Sequence, residues 1–297
     1  MSAPPLTLLY VPADRPDRVR KALASAADVV LVDLEDAVAP AHKEQARRGL
    51  SELLADCTRP VQVRVNHPGT PWGAADVEAV AALPVPVGLR VPKVEDPAEV
   101  RRLADRVPGR RLHLLVESAL GVEHAFDLAG AAGQVASLAL GEADLRSDLR
   151  VSDETGLLWV RGRVVNAARA AGLPSPSMSA YTDVVDLAGL AASCRAGRAL
   201  GFIGRTAVHP RQLDTIRQSF LPTPAELGRA REVITRVGEA RAAGIGALAL
   251  ADGTFLDIAM VEQAHAVLAL AAHGDPPDQR PRDVRAVRDQ PGDGHPR

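Results

Sequence analysis

The sequence predicts an α/β fold, a (β/α)8 barrel with a C-terminal helical extension, and three observations carry that expectation. Short runs rich in Val, Leu and Ile alternate with longer helical stretches, the pattern of parallel strands joined by crossover helices. The runs are continuously apolar, as expected of strands covered by a barrel interior on one face and by helices on the other. There are eight of them, and eight such units close a barrel of roughly 250 residues, which a chain of 297 residues accommodates.

In chain order the apolar runs are 6–11, 29–34, 61–66, 87–92, 112–117, 137–141, a weaker one at 173–176, and 201–204, each closed by Gly, Pro or a charged residue. The stretches between them, 15–26, 43–55, 74–83, 96–107, 121–130, 157–171 and 182–200, are long enough for crossover helices. A doubly wound open sheet is the competing architecture. Against it, no strand leads into a Gly-rich phosphate turn; the Gly cluster at 197–204, GRALGFIG, runs from helix into strand, the wrong polarity for a dinucleotide fingerprint. Residues 1–220 thus read as the catalytic barrel. Residues 221–273, with helical patterns at 224–243 and 261–272, lie outside the eight units and read as a C-terminal helical extension or lid. The last stretch, 274–297, is rich in Pro and alternating charge and has no apolar face, so disorder is expected there.

Composition narrows the function. Lys and Arg total 35 against 37 Asp and Glu, so no basic nucleic-acid surface dominates. Two Trp, two Tyr and four Phe offer few platforms for base stacking, and the ligand is expected to be polar. Cys57 and Cys194 stand far apart and support neither a disulfide framework nor a zinc cluster. With no signal-peptide pattern and no apolar window long enough to span a bilayer, a reducing cytoplasm and no membrane partner are expected.

In a parallel barrel the chemistry lies at the C-terminal ends of the strands. Here those ends are acidic: Asp33, Glu35 and Asp36 close the second run, Arg64 and Asn66 the third, Lys93 and Glu95 the fourth, Glu117 the fifth, Glu142 and Asp144 the sixth. Glu117 and Asp144 close consecutive strands, where mutual repulsion disfavours two ionised carboxylates without a cation between them. Magnesium suits a site of two carboxylates with water and substrate oxygens completing the shell; an ion-pair network with Lys93, Arg146 and Arg150 is the alternative. Arg64 is placed either to hold an oxyanion or carboxylate by paired hydrogen bonds or merely to neutralise Glu35 or Asp36. His209, before Pro210, reads as a structural hydrogen-bond donor.

Taken in order, LLYVPADRPDRVRKA, ADVVLVDLEDAVAPAHKEQAR, VRVN, VPKVE, LLVESALGV, LALGEADL, ALGFIGRTAVHPRQ and DGTFLDIAMVEQA resemble the citrate lyase beta-subunit-like CoA-ester lyases of the phosphoenolpyruvate/pyruvate TIM-barrel superfamily. The resemblance runs over about 8–266. It implies a magnesium-dependent enzyme that cleaves or forms a short 3-hydroxy acyl-CoA, such as citramalyl-CoA, malyl-CoA or citryl-CoA, to or from an acyl-CoA and a 2-oxo acid. By position it implies Glu117 and Asp144 as magnesium ligands and Arg64 as the substrate-binding arginine. Gly141, Glu142 and Ala143 match a loop whose amides hold the substrate carboxylate, and Glu35 and Asp36 an acidic pair ordering metal-bound water. Asp257 matches an acid/base supplied to a neighbouring subunit's site, in a family commonly trimeric. Arg15 and Arg18 are candidates for CoA phosphates. Three features depart from the pattern: LPSPSMSAY on the seventh strand, GEAD where the glutamate usually lies one place away, and the polar tail after Gly274. A class II pyruvate aldolase acting without CoA, or a non-catalytic subunit of a lyase complex, are the competing functions.

Overall fold

The computed structural model describes residues 4–83, 87–243, 248–249, 255–256 and 258–272. Pro4–Phe220 forms one compact unit. Its elements run β1 (Thr7–Pro12), α1 (Pro16–Leu23), β2 (Val29–Asp33), α2 (Lys43–Leu54), β3 (Val61–Arg64), α3 (Gly73–Ala81), β4 (Gly88–Val91), α4 (Pro97–Arg106) and β5 (Leu112–Val116). They continue with α5 (Ala119–Glu123), α6 (Ala125–Ala129), β6 (Val135–Leu140), α7 (Glu142–Leu149), α8 (Leu158–Ala170), α9 (Leu187–Ala199), β7 (Arg205–Ala207) and α10 (Leu213–Phe220).

The strands form one parallel sheet in the order β6-β5-β4-β3-β2-β1-β7. Two parallel bridges, Ala139 to Ser177 and Met178 to Arg205, join its outer strands, so the sheet curls round and closes through residues 177 and 178. The barrel expected from the sequence is therefore present, with two strands displaced. The run at 173–176, LPSP, carries two prolines that cannot donate to a ladder, and its role passes to Ser177 and Met178. The run at 201–204 gives way to β7, because Gly201 and Gly204 adopt φ of 94° and 71° and make a turn instead. At Gly204 a Cβ would lie 2.5 Å from the Pro5 carbonyl oxygen, so only glycine passes so close to the first strand.

Side chains alternate across each strand. Val30 and Val32 of β2 are fully buried, while Leu31 and Val29 pack with Leu8 and, from its partly exposed position, Tyr10. A polar layer follows inside the barrel, where Arg90 meets Gln62 at 3.1 Å and His113 meets Ser137 at 2.8 Å. The outer helices are amphipathic. In α4, Asp96 accepts from the Ala98 amide as N-cap, Pro97 takes the first helical position, and Val100, Leu103 and Ala104 face inward. The stretch at 121–130 is broken at His124 into α5 and α6, and α7 and α10 add helices that the alternation of runs did not separate.

From Leu221 the chain belongs to a second unit. It contains α11 (Pro224–Ala243), two short antiparallel strands β8 (Leu248–Ala249) and β9 (Phe255–Leu256), and α12 (Ile258–Ala271). Ala230 and Val233 of α11 pack with Ala264 of α12, flanked by Ile234, Val261 and Leu268. The stretch 274–297 and Asp257 lie outside the described residues. Among the described residues no helix is long and apolar enough to cross a membrane.

Candidate active site

A cavity of about 410 Å³ opens at the C-terminal ends of the strands, lined by Tyr10, Asp36, Arg64, Arg90, Glu117, the 141–144 turn, Tyr181 and Arg205 among others. The β2 end shapes one wall. Asp33, 1% exposed, accepts the amides of Glu35 and Ala37 at 3.0 Å, which folds DLEDA into a tight turn. Lys43 reaches back from α2 to the carbonyls of Leu34 and Glu35 at 2.8 and 2.7 Å and to Asn66 at 2.7 Å. Asn66 in turn donates to Asp76 at 2.6 Å, and Arg47 pairs with Asp76 at 3.0 Å. Lys43 and Arg47 thus brace the β2 and β3 ends.

Arg64, at the end of β3, is held by a fork of two bonds to Asp33, Nε to Oδ1 at 2.7 Å and Nη2 to Oδ2 at 2.6 Å. Its Nη1 lies 2.9 Å from Glu35 and 3.4 Å from Asp36, and its guanidinium stacks 4.7 Å from the Tyr10 ring centre. Burial works against the charge, yet the Asp33 bonds and the neighbouring carboxylates hold the Arg64 pKa above its ordinary value. The arginine therefore neutralises the acidic turn and also lines the cavity. Asp33, which fixes its orientation, is a residue that reading strand ends for reactive groups left without a role.

Three carboxylates, two from just beyond β2 and β5 and one from α7, surround the Lys93 ammonium. Nζ lies 2.7 Å from Glu35, 3.5 Å from Asp144 and 3.9 Å from Glu117. Lys93 takes a left-handed backbone, φ 54°, which is uncommon for a residue with a side chain. That conformation turns its amide onto Glu117 Oε2 at 2.8 Å. Glu117 is 5% exposed, and burial, opposed by Lys93 but aided by Glu35 and Asp144, pushes its pKa up to about 7. Burial likewise raises Glu35 in spite of Arg64 and Lys93. Gly141 is required beside this group, since a Cβ there would meet Glu117 Oε1 at 2.0 Å.

The 141–143 turn has most of its polarity already engaged. The Gly141 amide donates to the Val116 carbonyl at 3.0 Å, and the Glu142 amide to Ser179 Oγ at 3.1 Å, while that hydroxyl donates to the Leu140 carbonyl. The Glu142 side chain turns to Arg161, which forks onto it at 2.8 and 2.7 Å and also reaches Glu154 at 2.7 Å. Arg161 comes from α8, nineteen residues away, a pairing without a sequence signal. His209 accepts the Arg211 amide at 3.1 Å and caps a short 3-10 turn, so its ring is an acceptor where a donor was expected. Arg15 has a largely exposed side chain and lies 3.9 Å from Asp14.

This donor set suits a hard divalent cation. Glu117 is a buried carboxylate with two like-charged neighbours, and one shared ammonium already occupies the position between them. Among the described residues no three acidic or imidazole side chains form a complete metal cage. A cation here would draw on two protein carboxylates and on water and ligand oxygens for the rest.

Residues 6–210 match the HpcH/HpaI aldolase/citrate lyase family. The chain is 32% identical over 282 residues to citrate lyase subunit beta of Leuconostoc mesenteroides subsp. cremoris, covering 89% of this chain and 92% of that protein. It is 36% identical over 275 residues to a (3S)-malyl-CoA thioesterase of Cereibacter sphaeroides, covering 89% and 94%. A crystal structure of CitE from Mycobacterium tuberculosis in complex with magnesium, acetoacetate and coenzyme A superposes with a TM-score of 0.79 at 34% identity, covering 91% of this chain and 98% of that one. With its closed parallel barrel and this breadth of likeness, the chain belongs to the HpcH/HpaI aldolase/citrate lyase family, as an enzyme of the citrate lyase beta-like CoA-ester lyase branch.

Proposed function

We propose that this enzyme is a magnesium-dependent carbon–carbon lyase acting on a short 3-hydroxy acyl-CoA, which it cleaves to, or forms from, an acyl-CoA and a 2-oxo acid. The observation that carries the reading is the meeting of Glu35, Glu117 and Asp144 around one cationic position beside the cavity that Arg64 lines. Relatives described as binding magnesium, acetoacetate and coenzyme A, or oxaloacetate and magnesium, support it.

In this reading Glu117 and Asp144 hold magnesium, and Glu35 and Asp36 order water around it. When bound, the metal supplies Lewis acidity to the hydroxyl and carboxylate oxygens of the oxo-acid half. Cleavage breaks the bond between the acyl α-carbon and the carbinol carbon. The hydroxyl proton passes by way of an ordered water to the carboxylate of Glu35 or Asp36, its oxygen becomes the ketone oxygen, and the bonding pair passes to the α-carbon as a thioester enolate. Arg64, fixed by Asp33, faces the oxygen as charge develops there. Of the 141–143 segment, whose Gly141 and Glu142 amides are engaged within the protein, the Ala143 amide is the one offered to the substrate carboxylate, with Glu142 clamped by Arg161. Asp257 returns a proton to the enolate, and we assign it to a neighbouring subunit of a homo-oligomer, a trimer by family resemblance, working in the cytoplasm.

Purified protein incubated with citryl-CoA, malyl-CoA and citramalyl-CoA, with magnesium or with EDTA, tests the reading by mass spectrometry. An acyl-CoA product from at least one ester, formed with magnesium and lost with EDTA, is expected. No product from any ester, together with magnesium-dependent condensation of pyruvate with an aldehyde, would replace the reading by a CoA-independent aldolase.

A further inference from the structure

Among the described residues the charges around the cavity pair off, with two exceptions. Arg64 is matched by Asp33 and Glu35, Arg161 by Glu142 and Glu154, and Lys93 by the three carboxylates around it. Arg90 and Arg205 line the same cavity at 3% exposure each, and among the described residues neither has a carboxylate within ion-pair distance. The Arg205 contacts are neutral: Nε donates to the Ser179 carbonyl and Nη1 to Ser193 Oγ, both at 2.9 Å, and its guanidinium lies 5.4 Å from the Tyr181 ring centre. Arg90 has less. Its Nη1 donates to Gln62 at 3.1 Å, and its Nε is buried with no hydrogen-bond partner among the described residues. Its neighbour across the β4–β5 ladder, His113, is half-buried and kept neutral, its pKa pushed down to about 3 by loss of solvent and by Arg90 itself.

A guanidinium removed from water without a counter-charge is costly, and an unpartnered N–H adds to that cost. An anionic oxygen entering the cavity supplies the missing counter-charge. Arg90 stands in direct register with Arg64 on the neighbouring strand, and both guanidiniums lie against the ring of Tyr10, at 6.0 and 4.7 Å. An anion on Arg90 is therefore next to the group whose oxygen Arg64 faces, deeper in the barrel than the carboxylates around Lys93.

Resting on the lyase reading above, we infer that Arg90 is a specificity-determining residue that binds a second carboxylate on the oxo-acid half, so that the enzyme selects a dicarboxylic 2-oxo acid over a monocarboxylic one. Arg205, on the opposite wall of the barrel, adds to the field that draws the second charge in.

Binding of freshly prepared oxaloacetate and of pyruvate, each with magnesium, separates this inference from the reading it rests on. The wild-type protein is expected to bind oxaloacetate at least about tenfold more tightly than pyruvate. Arg90→Gln is expected to abolish that preference while leaving pyruvate affinity within about twofold, and Arg90→Lys to restore part of it. Equal affinities in the wild-type protein, a comparison that needs no variant, would overturn the dicarboxylate subsite and leave the lyase reading standing. An equal loss for both acids in Arg90→Gln would show that Arg90 only supports the fold and would also overturn it. Binding of neither acid, with no acyl-CoA product from any ester, would overturn both.

Discussion

Glu117 should make the metal-free protein less stable as pH rises, against the common behaviour of paired carboxylates. Its pKa is pushed from the ordinary 4.5 to about 7 in the folded chain, chiefly by burial. Between those values the folded protein binds a proton that the unfolded chain has released, so this group's contribution is fully present below about 4.5 and is lost as pH rises through 7. At 1.36 kcal/mol per unit, the loss between about pH 5 and pH 8 is on the order of 2–3 kcal/mol. Urea unfolding in EDTA, followed by the fluorescence of Trp72 and Trp159, measures it in the wild-type protein and in Glu117→Gln. The glutamine keeps an acceptor for the Lys93 amide and removes the titration. The difference in stability between the two proteins should shift by about 2–3 kcal/mol over that pH range, in favour of the variant at high pH. A difference that stays constant across the range would refute the argument that burial, with two neighbouring carboxylates, outweighs Lys93.

Other substitutions follow from the same geometry. Arg64→Ala should spare magnesium affinity and lower turnover by about 10²–10³, while its loss of the fork onto Asp33, 1% exposed, costs about 3 kcal/mol in urea unfolding; unchanged turnover would remove the oxyanion role. Gly141→Ala must displace the Glu117 carboxylate, whose Oε1 would lie 2.0 Å from the new Cβ, and so should weaken magnesium binding and cost about 1–3 kcal/mol; calorimetric titration and thermal melting read both. Lys93→Met removes an ammonium that shares Glu35, Asp144 and Glu117 with any cation, and magnesium should bind several-fold more tightly at low ionic strength.

The barrel was legible because its strands are continuous apolar runs, and the β2 strand, buried along its whole length, shows why. The pattern failed where the chain lacks such a run. Closure depends on Ser177 and Met178, two residues with no periodicity to read, and β7 follows the left-handed turn at Gly204, the residue that closes the apolar run. Position along the chain does predict which charged side chains meet: Glu35, Asp36, Arg64, Glu117 and Asp144 all come to one mouth. What escaped were partners set by tertiary distance. Asp33 reads as another acidic residue until Arg64 forks onto it, Arg161 lies inside a helix, Arg90 sits within a strand, and Arg205 opens one rather than closing it. A basic residue inside an otherwise apolar strand, as in GLRV, is the one signal that would have exposed Arg90.

In the proposed function Glu117 and Asp144 together hold the cation on which the chemistry depends. Titration with Mn²⁺ as a reporter for magnesium, followed by the electron paramagnetic resonance of the free ion, tests it directly in the wild-type protein, Glu117→Gln, Asp144→Asn and, as a control on the same helix, Asp148→Asn. One bound ion per chain, displaced by magnesium, weakened at least about tenfold in the first two variants and unchanged in the third, is the predicted result. Undiminished binding in both Glu117→Gln and Asp144→Asn would contradict the account.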